Sequence, residues 1–223
     1  MIKMGHKPML KFGDEYYNNS RNWYGRKVRY NYYEKAVKLM IEYVLRKIDV
    51  KGKHVLMVGI GYGYEAEVLQ KKGAIITGID ISNHAIGICK QRLQGTFFVH
   101  DIEKPLPNNK KYDIMLAISV MEHLQNPAIA LLNIHHALKD GGILIIVTPN
   151  GMSPYSIYDK KRDKTHIGIR TKDEWLKIFN MSSWSSIKIH SVQWIPVIWK
   201  LVRMPFGSAI IINATKDDAY ENH

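Results

Sequence analysis

The chain has one cysteine, Cys89, in 223 residues, so no internal disulfide can form. Packing must hold the fold together. No apolar run approaches the roughly 20 residues that span a bilayer. The first residues, Met1 to Pro8, lack the apolar stretch of a secretory signal. A single cysteine beside 10 methionines suits a reducing compartment. The expectation is a soluble, cytoplasmic protein. Internal repeats and low-complexity stretches are absent. With 46% hydrophobic and 23% charged residues, the composition is that of a globular domain, which excludes a disordered or collagen-like chain.

Charge is unevenly spread. The net charge is +12. Residues 1–50 carry 11 basic and 5 acidic side chains, residues 51–150 carry 10 and 8, and residues 151–223 carry 11 and 7. The flanks are basic and the middle is nearly neutral. Such a field attracts phosphorylated substrates, nucleic acid or an acidic membrane surface. General solubility is the simpler reading, and nucleic acid is not an expected partner. The densest basic cluster, Lys160 to Lys164, is interrupted by Asp163.

Apolar periodicity predicts a helix over 32–48. His54 to Val58 reads as a buried strand, followed by glycines and a helix over 65–72 that Gly73 stops. A strand over 74–80 follows, then a helix capped by Ser82 and closed by Gly95. Further strands are predicted over 96–100, 112–118 and 143–148, with a helix opened by Pro127 and ending at 139–142. Thr171 caps a helix over 172–179. Strands over 186–192 and 208–214 close the chain, joined by the compact segment 195–205, and they are candidates to pair antiparallel at the sheet edge. Alternating strand and helix predicts an α/β fold, a doubly wound, Rossmann-like sheet buried on both faces. The whole chain, 1–223, reads as a single domain. Its parts are an N-terminal segment and helix (1–50), a cofactor-binding core (51–150) and a substrate-side loop with closing strands (151–223).

Val55-Leu-Met-Val-Gly59-Ile-Gly61-Tyr-Gly63 is a strand running into a glycine turn and a helix. Glycines permit the sharp turn and close approach of a ligand, and the helix N-terminus offers N–H groups. Gly61-Tyr-Gly-Tyr-Glu-Ala66 also satisfies the dinucleotide pattern. Asp80, at the end of the next strand, can accept both hydroxyls of an adenosine ribose. These residues point to adenosine, in NAD or in S-adenosylmethionine, or to a tight turn with no ligand. Asp101, after the third strand, could accept from an adenine amino group. Some 50 residues precede the glycine strand, more than is usual for a dinucleotide domain.

Four motifs follow in order: VLMVGIGYG, TGIDIS, VHDIEKPLP with YDIMLAISVMEHLQNP, and LKDGGILIIVTPN. Spanning residues 55–150, they resemble the class I S-adenosylmethionine-dependent methyltransferases, and most of all the small-molecule group that includes the ubiquinone-biosynthesis O-methyltransferases. The resemblance implies a seven-stranded sheet with an antiparallel last strand, and S-adenosylmethionine as cofactor. It places Gly59 and Gly61 against the methionine part, Asp80 on the ribose, and Ile81 and Ile102 with Asp101 around the adenine. Ile118 and Ser119 would close the pocket. The leading segment, with Tyr16, Tyr17, Trp23 and Tyr24, covers the cofactor in this family. Aromatic rings there can enclose a sulfonium or pack in the core.

Two departures stand out. Met57 occupies a position that is usually acidic in the family and orients the cofactor's amino end. It is either a compensated substitution or a mark of lost catalysis, and the intact Asp80 and Asp101 favour compensation. Ser119 replaces the first carboxylate of the E-x-x-E-H pattern that binds metal in some ubiquinone-pathway relatives, so no metal is expected. Glu122 and His123 remain, as a helix-start pair or with His123 catalytic. His166 lies in the Asp-x-Thr-His segment that relatives carry over the substrate. It is a candidate general base or a packing histidine. His100 reads as strand-end structure, and His135 and His136 read as surface. The apolar, aromatic and basic insert Trp194 to Met204 could wall a hydrophobic substrate, touch a membrane surface, form a homodimer contact, or simply cover the sheet edge.

The sequence therefore predicts an enzyme that moves a methyl group to a small-molecule acceptor, most simply at oxygen. The acceptor pocket suits a hydrophobic or ring body with an anionic group. Rival readings are a methyltransferase acting on RNA or protein, an NAD-dependent oxidoreductase, and a non-catalytic adenosylmethionine-binding protein.

Overall fold

The computed structural model describes residues 30–107, 109–154, 156, 163–180, 183–195, 200–204 and 206–217. Five α-helices and eight strands occur among them. Helix α1 (Tyr30–Val44) leads into β1 (His54–Val58), α2 (Tyr64–Lys71), β2 (Ile75–Asp80), α3 (Asn83–Arg92) and β3 (Thr96–Val99). Next come β4 (Tyr112–Ile118), a 3₁₀ turn (Met121–His123), α4 (Pro127–Ala137) and β5 (Leu138–Pro149). Helix α5 (Lys172–Phe179), β6 (Trp184–Ile195), β7 (Lys200–Arg203) and β8 (Ala209–Lys216) complete the order.

All strands join one sheet in the order β3-β2-β1-β4-β5-β8-β6-β7. The pairs among β1 to β5 are parallel. Strand β8 is antiparallel to both β5 and β6. This is the expected seven-stranded sheet with its antiparallel last strand. The connection at 195–205 adds an eighth strand, β7, which pairs antiparallel with β6 at the edge.

The core lies on both faces, and strand alternation assigns it. Val55, Met57, Ile114 and Leu116 face one cluster, with Ile41 of α1, Leu69 of α2 and Cys89 of α3. Leu56, Val58, Met115 and Ala117 face the other, with Leu131 and Ile134 of α4 and Trp175 and Phe179 of α5. Strands buried on both faces must be apolar throughout, which is why β1 and β4 read as continuous hydrophobic runs. Met57 is 3% exposed, so this position fills the core.

The predicted caps are present. Ser82 Oγ accepts the Ala85 N–H at 3.2 Å. Thr171 and Glu174 form a reciprocal capping box at α5. Several boundaries differ, α1 ending at Val44 and β6 running from Trp184 to Ile195, and the start of β5 differs most. Helix α4 stops at Ala137, and β5 begins at Leu138 rather than Ile143. A register shift opposite Tyr112 and Ile114 absorbs Lys139–Gly142. The chain passes from β1 out to β3 and returns to β4 on the other side, so the order reverses between β1 and β4. Ligands of such sheets bind at the carboxyl ends of the strands at this switch point.

Candidate active site

The turn after β1 is held open by backbone conformation. Gly59, Gly61 and Gly63 have φ values of 63°, 53° and 77°. At Gly59 a Cβ would fall 2.3 Å from Val120 Cγ2, so the turn after β4 packs directly onto the glycine turn. Two N–H groups tie the loop to β2. Ile60 donates to the Ile79 carbonyl at 2.9 Å. Gly61 donates to Asp80 Oδ2, also at 2.9 Å. The Ser82 N–H donates to Asp80 Oδ1 at 2.8 Å. Asp80, 6% exposed, is thereby fixed in plane at the strand end. A carboxylate accepts at about four sites, so these bonds are compatible with hydroxyl recognition. No side chain caps the N-terminus of α2, which begins at the end of this turn. The glycine backbone, the oriented carboxylate and the helix N-terminus fit the methionine and ribose of S-adenosylmethionine.

Beneath the turn, Cys89 Sγ donates to the Gly61 carbonyl at 3.1 Å. Burial, helped by the nearby Asp80 carboxylate, pushes the thiol up to about 12, so it acts as a packing donor rather than a nucleophile. At the rim, Tyr62 Oη and His84 Nε2 lie 3.0 Å apart.

Asp101, expected beside the adenine, is half-buried and its Oδ1 accepts the Glu103 N–H at 3.0 Å. The Ile102 side chain is buried in the second core cluster, and Asn133 Nδ2 donates to its carbonyl at 2.8 Å. Ile81 and Ile118 are half-buried. Ser119 is exposed and carries a φ of 53°, the one left-handed non-glycine residue among those described. Such strain in a non-glycine residue is typical of functional turns. Tyr16, Tyr17, Trp23 and Tyr24 lie outside the described residues.

A second constellation forms where residues 163–170 return over the turn after β4. The Gly168 N–H donates to the Glu122 carbonyl at 2.9 Å, docking the two segments. His123 and His166, 43 positions apart, have ring centroids 4.8 Å from each other at a tilted angle of 66°. His123 Nδ1 lies 2.8 Å from Thr165 Oγ1 and 3.2 Å from the Thr165 carbonyl. Thr165 Oγ1 donates to Asp163 Oδ1 at 2.6 Å, and the Thr165 N–H donates to the same oxygen at 2.8 Å. His166 Nε2 is 3.7 Å from Asp163 Oδ2. Burial raises the Asp163 carboxyl, but the Thr165 bonds and the two imidazoles outweigh it and hold the group below its ordinary value. Glu122, 1% exposed, accepts the Thr148 hydroxyl at 3.2 Å.

The sequence singled out His123 and His166 but missed their convergence. It also missed Thr165, Asp163 and Thr148. The Asp-x-Thr-His spacing was the available signal for the first two, while Thr148 sits in a strand run with no polar pattern. His100 is strand-end structure as expected, its Nε2 near the Lys104 carbonyl. His135 differs from its surface reading: it is half-buried, its Nε2 lies 2.7 Å from the Ser183 carbonyl, and its ring stands edge-on to Trp184.

Donor atoms of Glu122, His123 and His166 all lie within 4.8 Å of one another. One carboxylate and two imidazoles do not suit the hard, oxygen-seeking magnesium or calcium ions, and Ser119 removes the second carboxylate. The set therefore does not fit a family-type magnesium site.

Residues 26–187 match the family model described as a methyltransferase domain. The chain belongs to this methyltransferase family. It is 36% identical over 115 residues to a ubiquinone biosynthesis O-methyltransferase of Coxiella burnetii, covering 49% of each protein. A Rickettsia typhi protein of the same name is 31% identical over 141 residues, covering 59% of this chain and 57% of that protein. The alignments thus span about half the length of these curated relatives. Solved structures agree on the fold. A methyltransferase from Archaeoglobus fulgidus superposes with a TM-score of 0.66 at 21% identity, covering 85% of this chain and all of that one, 100%. The magnesium protoporphyrin IX methyltransferase of Synechocystis with bound S-adenosylhomocysteine gives 0.64 at 18% identity, covering 91% and 97%. The cofactor is accordingly S-adenosylmethionine, and the dinucleotide pattern at Gly61 to Ala66 does not mark an NAD enzyme. No helix among the described residues is long and apolar enough to cross a membrane.

Proposed function

We propose that the protein transfers a methyl group from S-adenosylmethionine to a hydroxyl oxygen of a small molecule, with an imidazole as general base. The observation that carries this reading is the convergence of His123 and His166, 4.8 Å apart, on the turn after β4, which packs through Val120 onto the glycine turn. The cofactor supplies an activated methyl group. The chain's own residues orient the acceptor oxygen in line with that carbon, exclude water, and take the hydroxyl proton onto a ring nitrogen. The methyl–oxygen bond forms as the methyl–sulfur bond breaks, and S-adenosylhomocysteine leaves.

The acceptor side is read from residues 151–170 together with the leading and closing segments. Met152 and Ile167 are 54% and 53% exposed there and offer apolar surface. The half-buried Arg170 lies nearby, its guanidinium 5.5 Å from the Trp175 ring. This supports an acceptor with an apolar or ring body and an anionic group. The names of the curated relatives support oxygen as the target. In this reading residues 1–50 cover the cofactor, and the active form is either a monomer or a homodimer.

The test is radiolabelled methyl transfer to a panel of hydroxylated aromatic acids and their amine analogues. Turnover of the phenolic members supports the reading. Turnover confined to amines, RNA or protein would overturn it. In the same assay, His123→Ala or His166→Ala should lower kcat roughly 100-fold if that ring is the base.

A further inference from the structure

The hydrogen bonds around His123 fix where its proton sits. A neutral imidazole has one donor nitrogen and one acceptor nitrogen, and its partners decide which is which. Nδ1 faces two Thr165 atoms, the carbonyl at 3.2 Å and the hydroxyl at 2.8 Å. A carbonyl oxygen can only accept. The hydroxyl has a single proton, and it points to Asp163 Oδ1, 2.6 Å away. Asp163 is held in the ionised form, so it too can only accept. The hydroxyl is left to accept from the ring. Both contacts therefore require a proton on Nδ1, and the basic lone pair of the neutral ring falls on Nε2.

The arrangement is over-determined. The Thr165 N–H also donates to Asp163 Oδ1, at 2.8 Å, so one carboxylate oxygen locks both the backbone and the hydroxyl rotor of Thr165. Thr165 is 9% exposed, which shields the chain of bonds from competing water. His166 adds a cation-capable ring 3.7 Å from the other Asp163 oxygen and so helps keep that carboxylate ionised. The loop reaches His123 because Gly168 is bonded to Glu122, the neighbouring residue. A packing histidine needs a partner for a buried ring nitrogen, but not one whose own proton is directed elsewhere by a carboxylate. A general base needs that direction, because a ring in the wrong tautomer presents an N–H to the proton it must remove.

We infer that Thr165 and Asp163 are positioning residues that hold His123 as the Nδ1–H tautomer and so put the basic lone pair of the neutral ring on Nε2. This rests on the methyl-transfer reading above and assigns the base role to His123, leaving His166 as the partner of Asp163.

The experiment needs no acceptor. Long-range proton–nitrogen correlation spectra of ¹⁵N-labelled protein, in mildly alkaline buffer with S-adenosylhomocysteine, distinguish protonated from unprotonated ring nitrogens. His123→Gln identifies the resonances. The wild type should show a single tautomer, with Nδ1 protonated. Thr165→Val keeps the longer contact to the backbone carbonyl but removes the shorter one to the hydroxyl that Asp163 orients, so it should give a mixture with Nε2–H, and Thr165→Ser should restore the wild-type pattern. Affinity for S-adenosylhomocysteine should stay within about twofold in both variants, because neither touches the glycine turn. Dominant Nε2–H in the wild type, or an unchanged single tautomer in Thr165→Val, would overturn the inference. Failure to bind S-adenosylhomocysteine at all would instead overturn the methyl-transfer reading. On an acceptor that turns over, Thr165→Val should lower kcat tenfold or more, and Thr165→Ser should recover most of it. Loss of cofactor affinity in place of kcat would mark Thr165 as merely structural.

Discussion

Asp80 Oδ2 accepts the Gly61 N–H at 2.9 Å, which joins the strand-end carboxylate to the glycine turn. If Asp80 holds the ribose, as proposed, one carboxylate serves ligand and scaffold together. Asp80→Ala should remove the hydroxyl acceptor and leave the Gly61 and Ser82 N–H groups without it. Binding of S-adenosylmethionine, followed by titration calorimetry, should weaken by more than about 1 kcal/mol. NAD should show no comparable binding to the wild type, and binding of NAD alone would sink the adenosylmethionine assignment.

The contact of Gly59 with Val120 yields a second expectation. A Cβ at position 59 adopts a left-handed backbone, costing about 1–2 kcal/mol, and lies 2.3 Å from Val120 Cγ2. Gly59→Ala should lower the denaturation midpoint and weaken cofactor binding. Adding Val120→Ala removes the overlap but not the backbone strain. The double variant should therefore recover part of the loss, read as a favourable coupling in a double-mutant cycle. Strict additivity would show that the two turns do not touch in solution.

The glycine turn, Asp80 and the succession of strands and helices along the chain were legible because they are local. A turn needs glycine at set positions, a strand buried on both faces needs an unbroken apolar run, and a cap needs Ser82 or Thr171 one residue before a helix. The convergence of His123 with Asp163, Thr165 and His166 was not legible. It depends on a return of the chain across some 40 residues, docked by the bond from Gly168 to Glu122 and by that from Gly151 to Arg170. Strand β7 was missed for a related reason. Its pairing with β6 satisfies the edge, but its four residues, Lys200 to Arg203, have no alternation long enough to read as a strand.

Metal dependence is a separate expectation. Glu122 is engaged by Thr148, His123 Nδ1 by Thr165, and Ser119 offers no carboxylate. Once an acceptor is known, turnover should survive exhaustive chelation. Loss on chelation with rescue by added magnesium would show that these three residues serve an ion after all.

Acid should destabilise the protein through a histidine far from this site. His190, on β6, has both ring nitrogens buried with no hydrogen-bond partner among the described residues. Burial, then the charges of Arg203, Arg46 and Lys172, depress its pKa from 6.5 to about 4, and its ring lies 6.4 Å from Tyr43 of α1. The folded state therefore resists protonation, while the unfolded chain takes up a proton near the ordinary value. Between these two values the unfolded state binds more protons, so stability rises with pH across that window and is lost as pH falls through it. Asp113 and Asp163, both held below 3.8, lose their contributions mainly at the acid end of that window and below it. Urea midpoints should fall steadily from about pH 6.5 to about pH 4.5. His190→Leu, which keeps the volume without a titrating ring, should flatten that slope and leave the midpoint at neutral pH equal to or above that of the wild type. An unchanged slope in the variant would place the acid sensitivity elsewhere.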